Sequence, residues 1–303
     1  MMVATKPKVA FLLSNWYSGA TLLTILLNSH SQIVSNGEAM FFLPNDSRRY
    51  DCSCGKYIDE CEFYKATTAH MRLPGDAGWD KQLFVQVPRF SHKPLVNRVL
   101  NSARIESALR HRVINAVPAY RNIRERFLAA QLQFFDNARS VAGASIYLDG
   151  TKSMRRAELF AHGDRCEMKA LHLIRDGRGF CASYVKSERR SLTDAAKAWV
   201  RHIARVDAFS KDFPSVPVLV VRYEDLCRST ALTIRSVCEF LGISYEEPGE
   251  DMMKDAHILG NRMRRTFGGA ILEDTSWREK IDSRAQSELT SMMKPQLERF
   301  GYL

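Results

Sequence analysis

The chain has 303 residues, 45% of them hydrophobic, and a formal net charge of +10. That is enough apolar sequence for a full core, in one large α/β domain or two smaller ones. No apolar run approaches the roughly 18 residues of a membrane-spanning helix, and no zinc-finger, RNP-type or heptad pattern accompanies the positive charge. Neither a transmembrane segment nor a nucleic-acid partner is therefore expected. The charge is then either a solvated surface or a field that concentrates anionic ligands. The opening MMVATKPKV leads into an apolar run too short for the core of a signal peptide, so a soluble, cytoplasmic protein is the expectation.

In chain order, KVAFLL reads as a buried strand and is followed by the small polar loop SNWYSGAT. A helix begins just after Gly19, with Leu22, Leu23, Leu26 and Leu27 on one face. QIVSNGE reads as a second strand ending at Gly37 and Glu38. From Phe42 to Lys93 the sequence is irregular, as an insertion or lid would be, and from Pro94 to Gly143 it carries amphipathic helices studded with arginines. Three strand–turn–helix units follow, SIYLDGTKSMRRAELF, MKALHLIRDGRGFCASYVKS and VPVLVVRYEDLCRSTALTIRSVCEFLGI. Alternating apolar strands and helices predict a three-layer α/β/α fold around a central parallel sheet. Ligands of such sheets collect at the carboxyl ends of the strands, where the unusual polar turns lie.

The first turn has the backbone chemistry of an anion site. Amides at the start of a helix are unpaired and carry the positive end of the helix dipole, and Gly19 allows close approach. Thr21 could cap the helix or offer a hydroxyl. A magnesium–nucleotide loop is not indicated, because the GxxxxGK[ST] pattern is absent. In the second turn, Arg175 ends a strand and Ser183 lies eight residues on, a little over two helical turns later. An arginine fork and a serine hydroxyl suit a second phosphate, the bland alternative being an Arg175–Asp176 pair.

Of the seven cysteines, Cys166, Cys181, Cys227 and Cys238 sit in apolar or helical surroundings and read as small core residues. Cys52, Cys54 and Cys61 cluster in DCSCGKYIDEC. Three sulfurs fall short of a four-ligand zinc site, which His70 could complete; a disulfide or a tight turn of free thiols is the favoured reading. Asp149 is expected to make the Asp-Gly turn, although it could orient Lys152. Trp277 is expected in the core rather than against a base, and His30 as a structural helix-end histidine. His257 is assigned no role.

Together these turns resemble those of sulfotransferases that use 3′-phosphoadenosine 5′-phosphosulfate, most closely the bacterial and carbohydrate-type members. YSGAT, Tyr17 to Thr21, resembles the family's [RK]SG[ST]T loop, which holds the 5′-phosphosulfate. Arg175 and Ser183 match its 3′-phosphate site. NGE, ending at Glu38, resembles the glycine–glutamate beside the acceptor hydroxyl, and LDGTKSMRRAELF resembles the VDxSKxxxR turn, which puts Lys152 at the transferring group. HILGNRMRR resembles a GNPxR segment with Arg262 in place of proline, and the CSCG…C cluster and the LERFGYL ending also occur in similar sequences. Tyr17 stands where the family has a basic residue, and Ala20 where it has a second Ser or Thr.

The resemblance implies a P-loop-like sulfotransferase fold in one domain over 1–303, with 42–143 as an inserted helical region that binds the acceptor. It implies Glu38 as general base and Lys152 as the transition-state cation. The donor nucleotide would be held by Tyr17, Ser18, Gly19, Ala20, Thr21, Arg175 and Ser183. Arg264 and Arg265 would be further partners, against a reading of RMRR as a solvated run. The acceptor would be a hydroxyl-bearing small molecule, carbohydrate or lipid, and the reaction needs no metal. The competing readings are a sulfotransferase-like nucleotide binder without catalysis, which Tyr17 and Ala20 favour, and a P-loop phosphotransferase, which the missing loop lysine disfavours.

Overall fold

A computed structural model describes residues 6–38, 50–69, 71, 86–102, 105–249, 252–253 and 256–303. His70 lies outside them. Five parallel strands, β1 (Lys8–Ser14), β2 (Ile33–Val34), β3 (Ile146–Asp149), β4 (Glu167–Ile174) and β5 (Val218–Arg222), form one sheet in the order β2-β3-β1-β4-β5. The order makes β1 central, between β3 and β4.

Strand periodicity explains how both faces are filled. Along β1, Val9, Phe11 and Leu13 enter one apolar cluster while Ala10 and Leu12 enter another. On β3, Tyr147 goes to the first cluster and Ile146 and Leu148 to the second. Successive side chains of a strand point to opposite faces, so a strand apolar at every position must be covered on both sides. The second face is covered by α1 (Ala20–Asn28) and α10 (Thr230–Leu241), through Leu22, Leu23, Leu26, Ile234 and Val237. The first is covered by α5 (Pro118–Ala142), α6 (Met154–Gly163) and α8 (Leu192–Asp212), through residues such as Phe135, Phe160 and Val206. A third cluster joins α7 (Gly177–Glu188) and α8 to α13 (Ser283–Arg299), and Trp277 is buried there as expected.

The arginine-rich stretch before β3 divides into α3 (Pro94–Leu100), α4 (Ser107–Ala116) and α5, and α5 stops at Gly143 with φ +66°. The predicted second strand is shorter than its apolar pattern. Only Ile33 and Val34 pair with β3, and the chain then runs on until Gly37 bridges to Leu259. His30 is buried against the Ser244 carbonyl at 2.8 Å, as a helix-end histidine should be. Cys166, Cys181 and Cys238 are buried and Cys227 is half-buried. No helix among the described residues is long and apolar enough to cross a membrane.

Two buried histidines couple this core to pH. His172 on β4 and His202 on α8 have ring centroids 5.7 Å apart, and neither Nε2 finds a hydrogen-bond partner among the described residues. Burial pushes His172 down to about 4; burial, and then its neighbour His172, pushes His202 down to about 3. The unfolded chain, with histidines near 6.5, then binds more protons than the native one below that pH, so stability falls on acidification. Between pH 7 and pH 5 the expected loss is on the order of 1–2 kcal/mol for each histidine. Thermal melts across that range should show it, and His202→Gln should flatten the slope.

Candidate active site

Each functional loop leaves the carboxyl end of a strand. After β1 the chain turns through Trp16 and Tyr17 into Gly19, which has φ +86° and is the N-terminal cap residue of α1. Gly19 makes no side-chain cap bond, and Thr21 lies inside the helix rather than at its cap position. The left-handed conformation at Gly19 is one that glycine adopts at little cost. A Cβ there would also lie 2.4 Å from Cδ2 of Tyr223, whose ring closes the floor of the loop.

Four non-glycine residues among those described have positive φ: Tyr17, Lys152, Asp164 and Arg189. Asp164 and Arg189 end α6 and α7, where left-handed caps are routine. Tyr17 and Lys152, both at +62°, end no helix and line one cavity. Strain of this kind costs on the order of 1–3 kcal/mol per residue and persists where the surroundings impose it, commonly at ligand sites.

That cavity has a volume of about 560 Å³ and brings Tyr17, Gly19, Ala20 and Thr21 together with Glu38, Lys152, Arg175 and Ser183. Ser18 lies in the same loop but is buried and does not line the cavity. Lys152 Nζ donates to Glu38 Oε1, and both side chains are shielded, at 6% and 15% exposure. Glu38 is held by its backbone N–H, which donates to the Leu259 carbonyl at 3.2 Å, and by Gly260, where a Cβ would crowd its carboxyl at about 3 Å. Asp149 accepts from the Thr151 amide at 3.0 Å and pairs with buried Arg156 at 2.6 Å. It therefore builds the turn that presents Lys152.

Arg175 forms a hub. Its guanidinium donates to the Tyr17 carbonyl at 3.2 Å, to Ser183 Oγ at 3.3 Å, and to both the carbonyl and the carboxylate of Asp274, at 2.8 and 3.0 Å. It also lies 4.8 Å over the Tyr223 ring. The hydroxyl of Ser276, then Arg175, holds the Asp274 carboxyl down at about 2. Asp176, the partner proposed for Arg175 in the bland reading, instead pairs with Arg178 and caps α7.

Several placements differ from the sequence expectations. The Tyr17 hydroxyl donates to Glu188 at 2.6 Å; burial, then that bond, pushes its phenol above the ordinary value. Among the described residues, the basic side chains lining the cavity are Lys152 and Arg175. Arg264 and Arg265 do not line it, since both donate to Asp51, at 2.9 and 2.5 Å. Sequence reading missed Asp274, whose partner is distant in the chain, and Tyr223, although Tyr223 follows β5 at the same edge of the sheet. A second cavity of about 660 Å³ shares Trp16 and Lys152 with the first. Its lining includes Arg155, Arg190, Arg201 and Arg205, and the described part of 42–143 contributes Gln86 and Asn101.

Residues 167–247, which include Arg175 and Ser183, match the model of the sulfotransferase family. Over that stretch the chain is similar to sulfotransferases. Among solved structures, the sulfotransferase domain from the curacin biosynthetic pathway is 16% identical, with 96% of this chain and 99% of that one covered and a TM-score of 0.49. The sulfotransferase domain from the Synechococcus PCC 7002 olefin synthase is 17% identical, with 95% and 89% covered and a TM-score of 0.48. A sulfotransferase from Alicyclobacillus acidocaldarius is 14% identical, with 97% of each chain covered and a TM-score of 0.37. No curated protein matches significantly. The matched stretch supplies β4, the Arg175 turn and α7, while the first loop, Glu38 and Lys152 lie before it.

Replacing Gly19 tests how tightly the first loop is specified. Gly19→Ala places a methyl group at positive φ and against the Tyr223 ring, and should lower stability by about 1–3 kcal/mol in denaturant unfolding.

Proposed function

We propose that the protein transfers a sulfuryl group from 3′-phosphoadenosine 5′-phosphosulfate to the hydroxyl of an acceptor. The observation that carries this reading is the Arg175–Ser183 pair lining the same cavity as the uncapped α1 terminus and the Lys152–Glu38 pair. The donor set suits this nucleotide: amides of Gly19, Ala20 and Thr21 for the 5′-phosphosulfate, and the Arg175 fork with Ser183 for the 3′-phosphate. Leu22, Ile271 and Leu272 give the cavity an apolar wall for a flat base.

The donor supplies an electrophilic sulfuryl group on a phosphate leaving group. Glu38 accepts the proton of the acceptor hydroxyl as its oxygen bonds to sulfur and the sulfur–phosphate oxygen bond breaks, leaving adenosine 3′,5′-bisphosphate. Lys152 stabilises the negative charge that develops on the sulfuryl and bridging oxygens, in the position where Tyr17 offers no cation. Positioning and fixed charge do most of the work, and the left-handed backbone at Lys152 is the kind of strain a pre-set ammonium justifies. On this reading the acceptor approaches Lys152 from the second cavity, whose arginines favour an acceptor that carries acidic groups.

Calorimetric titration with adenosine 3′,5′-bisphosphate tests the reading, and absence of binding by the wild-type protein overturns it. Arg175→Ala should weaken binding by roughly 10–100-fold and Ser183→Ala by roughly 2–10-fold, as expected for a charged and a neutral hydrogen bond.

Turnover of labelled donor with a panel of hydroxyl acceptors tests the chemistry separately. Lys152→Ala should lower kcat by about 10²–10³ and Glu38→Gln by about 10²–10⁴, each changing nucleotide binding far less. Acceptors bearing a carboxylate or sulfate should show lower KM than neutral analogues, and this preference should weaken with salt.

A further inference from the structure

Outside the lining of both cavities, the chain gathers three cysteines and a histidine around one point. Cys54 Sγ lies 3.7 Å from Cys61 Sγ, and His257 Nδ1 lies 3.6 Å from Cys52 Sγ and 3.2 Å from Cys61 Sγ. All four ligand atoms fall within 4.8 Å of one another. A tetrahedral zinc ion, with bonds of about 2.3 Å to sulfur and about 2.0–2.1 Å to nitrogen, would set S···S near 3.8 Å and S···N near 3.6 Å. From these distances we propose that Cys52, Cys54, Cys61 and His257 form a structural zinc site.

Local structure aims each ligand. The Cys52 amide donates to the Lys56 carbonyl at 2.8 Å and the Gly55 amide to the Cys52 carbonyl at 3.0 Å, with Gly55 at φ +86°. This tight turn carries the first two sulfurs. Cys61 is the N-terminal cap residue of α2 (Glu62–Thr68). The His257 ring stacks on Phe63 with centroids 4.7 Å apart and planes 6° apart, and its carbonyl accepts from the Tyr64 hydroxyl at 2.8 Å. The C-x-C pair is tighter than the commoner C-x₂₋₄-C spacing, and the fourth ligand comes from 196 residues beyond Cys61. A disulfide needs sulfurs about 2.05 Å apart and would use only two of these four groups.

Four protein ligands leave no open position, which marks the site as structural rather than catalytic. It fastens the 50–61 loop to 256–261, and two further residues, Ser53 and Arg264, bridge the same seam. Ser53 Oγ donates to the Ala256 carbonyl at 2.6 Å and accepts from the Ile258 amide at 2.8 Å. Arg264 joins the Gly260 carbonyl to Asp51. Leu259 in turn pairs with Asn36 and Glu38. The site would therefore hold Glu38 in place, a consequence that rests on the role proposed for Glu38, whereas the metal site does not.

The test is metal analysis of protein purified in reducing buffer without chelator. About one zinc per chain is expected. Cobalt(II) exchange should produce thiolate-to-cobalt charge-transfer bands and the ligand-field bands of tetrahedral coordination. His257→Ala and Cys54→Ser, the latter at an exposed position, should each lose most of the metal, while Cys227→Ser, outside the cluster, should keep it. Removing zinc with a strong chelator should lower Tm, and re-adding it should restore Tm. The inference is overturned if reduced, folded protein takes up neither zinc nor cobalt. It is equally overturned if thiol titration of the native protein shows a Cys54–Cys61 disulfide. Neither readout depends on nucleotide binding, so it fails separately from the proposed sulfuryl transfer.

Discussion

Burial of the parallel sheet on both faces constrains everything else in this structure. A strand such as β1 is apolar and buried at every position from Val9 to Leu13, with no polar side chain between those ends. Polar chemistry is displaced to the carboxyl edge, where strands become loops and helix N-termini carry unpaired amides. Because β3, β1 and β4 are neighbours, their three exit loops converge. Gly19, Lys152 and Arg175 thus meet although 156 residues separate the first from the last.

Convergence alone would give a loose site. The charged side chains are instead held by partners and by backbone that has been forced into shape. Arg175 touches two loops at once, through the Tyr17 carbonyl and Asp274, and stacks on Tyr223. Lys152 is aimed by a turn that buried Asp149 and Arg156 build beneath it. Removing either member of that buried pair would strand a charge in the core, so the turn is tied to the stability of the sheet.

The far C-terminal third closes the cavity. Residues 259–261 reach back to Asn36 and Glu38, and 271–274 supply an apolar wall and the carboxylate that faces Arg175. The proposed zinc site lies on the same seam. If it is occupied, the position of Glu38 depends on a loop following the first β-α-β unit and a segment near residue 260, joined through one ion.

Much of this was legible in the chain. Strand and helix periods are local, and so are the turns at Gly19, Lys152 and Arg175. The spacing of Arg175 and Ser183 on one helical side is fixed by 3.6 residues per turn, and the two do hydrogen-bond. What could not be read were pairings between distant positions, which depend on how whole elements pack. Glu38 with Lys152 spans 114 residues, Arg175 with Asp274 spans 99, and Arg264 with Asp51 spans 213. The cysteine cluster is the sharpest case. Sequence proximity offered His70 as a fourth ligand only behind a disulfide or a turn of free thiols, and left His257 without a role, whereas the folded chain lays His257 against two of the three sulfurs. Apolar period and turn chemistry act over a few residues, and they already specify the layered sheet and the loops that carry the polar residues. Which of those residues face one another follows instead from strand order and from a C-terminal segment folding back across the edge of the sheet.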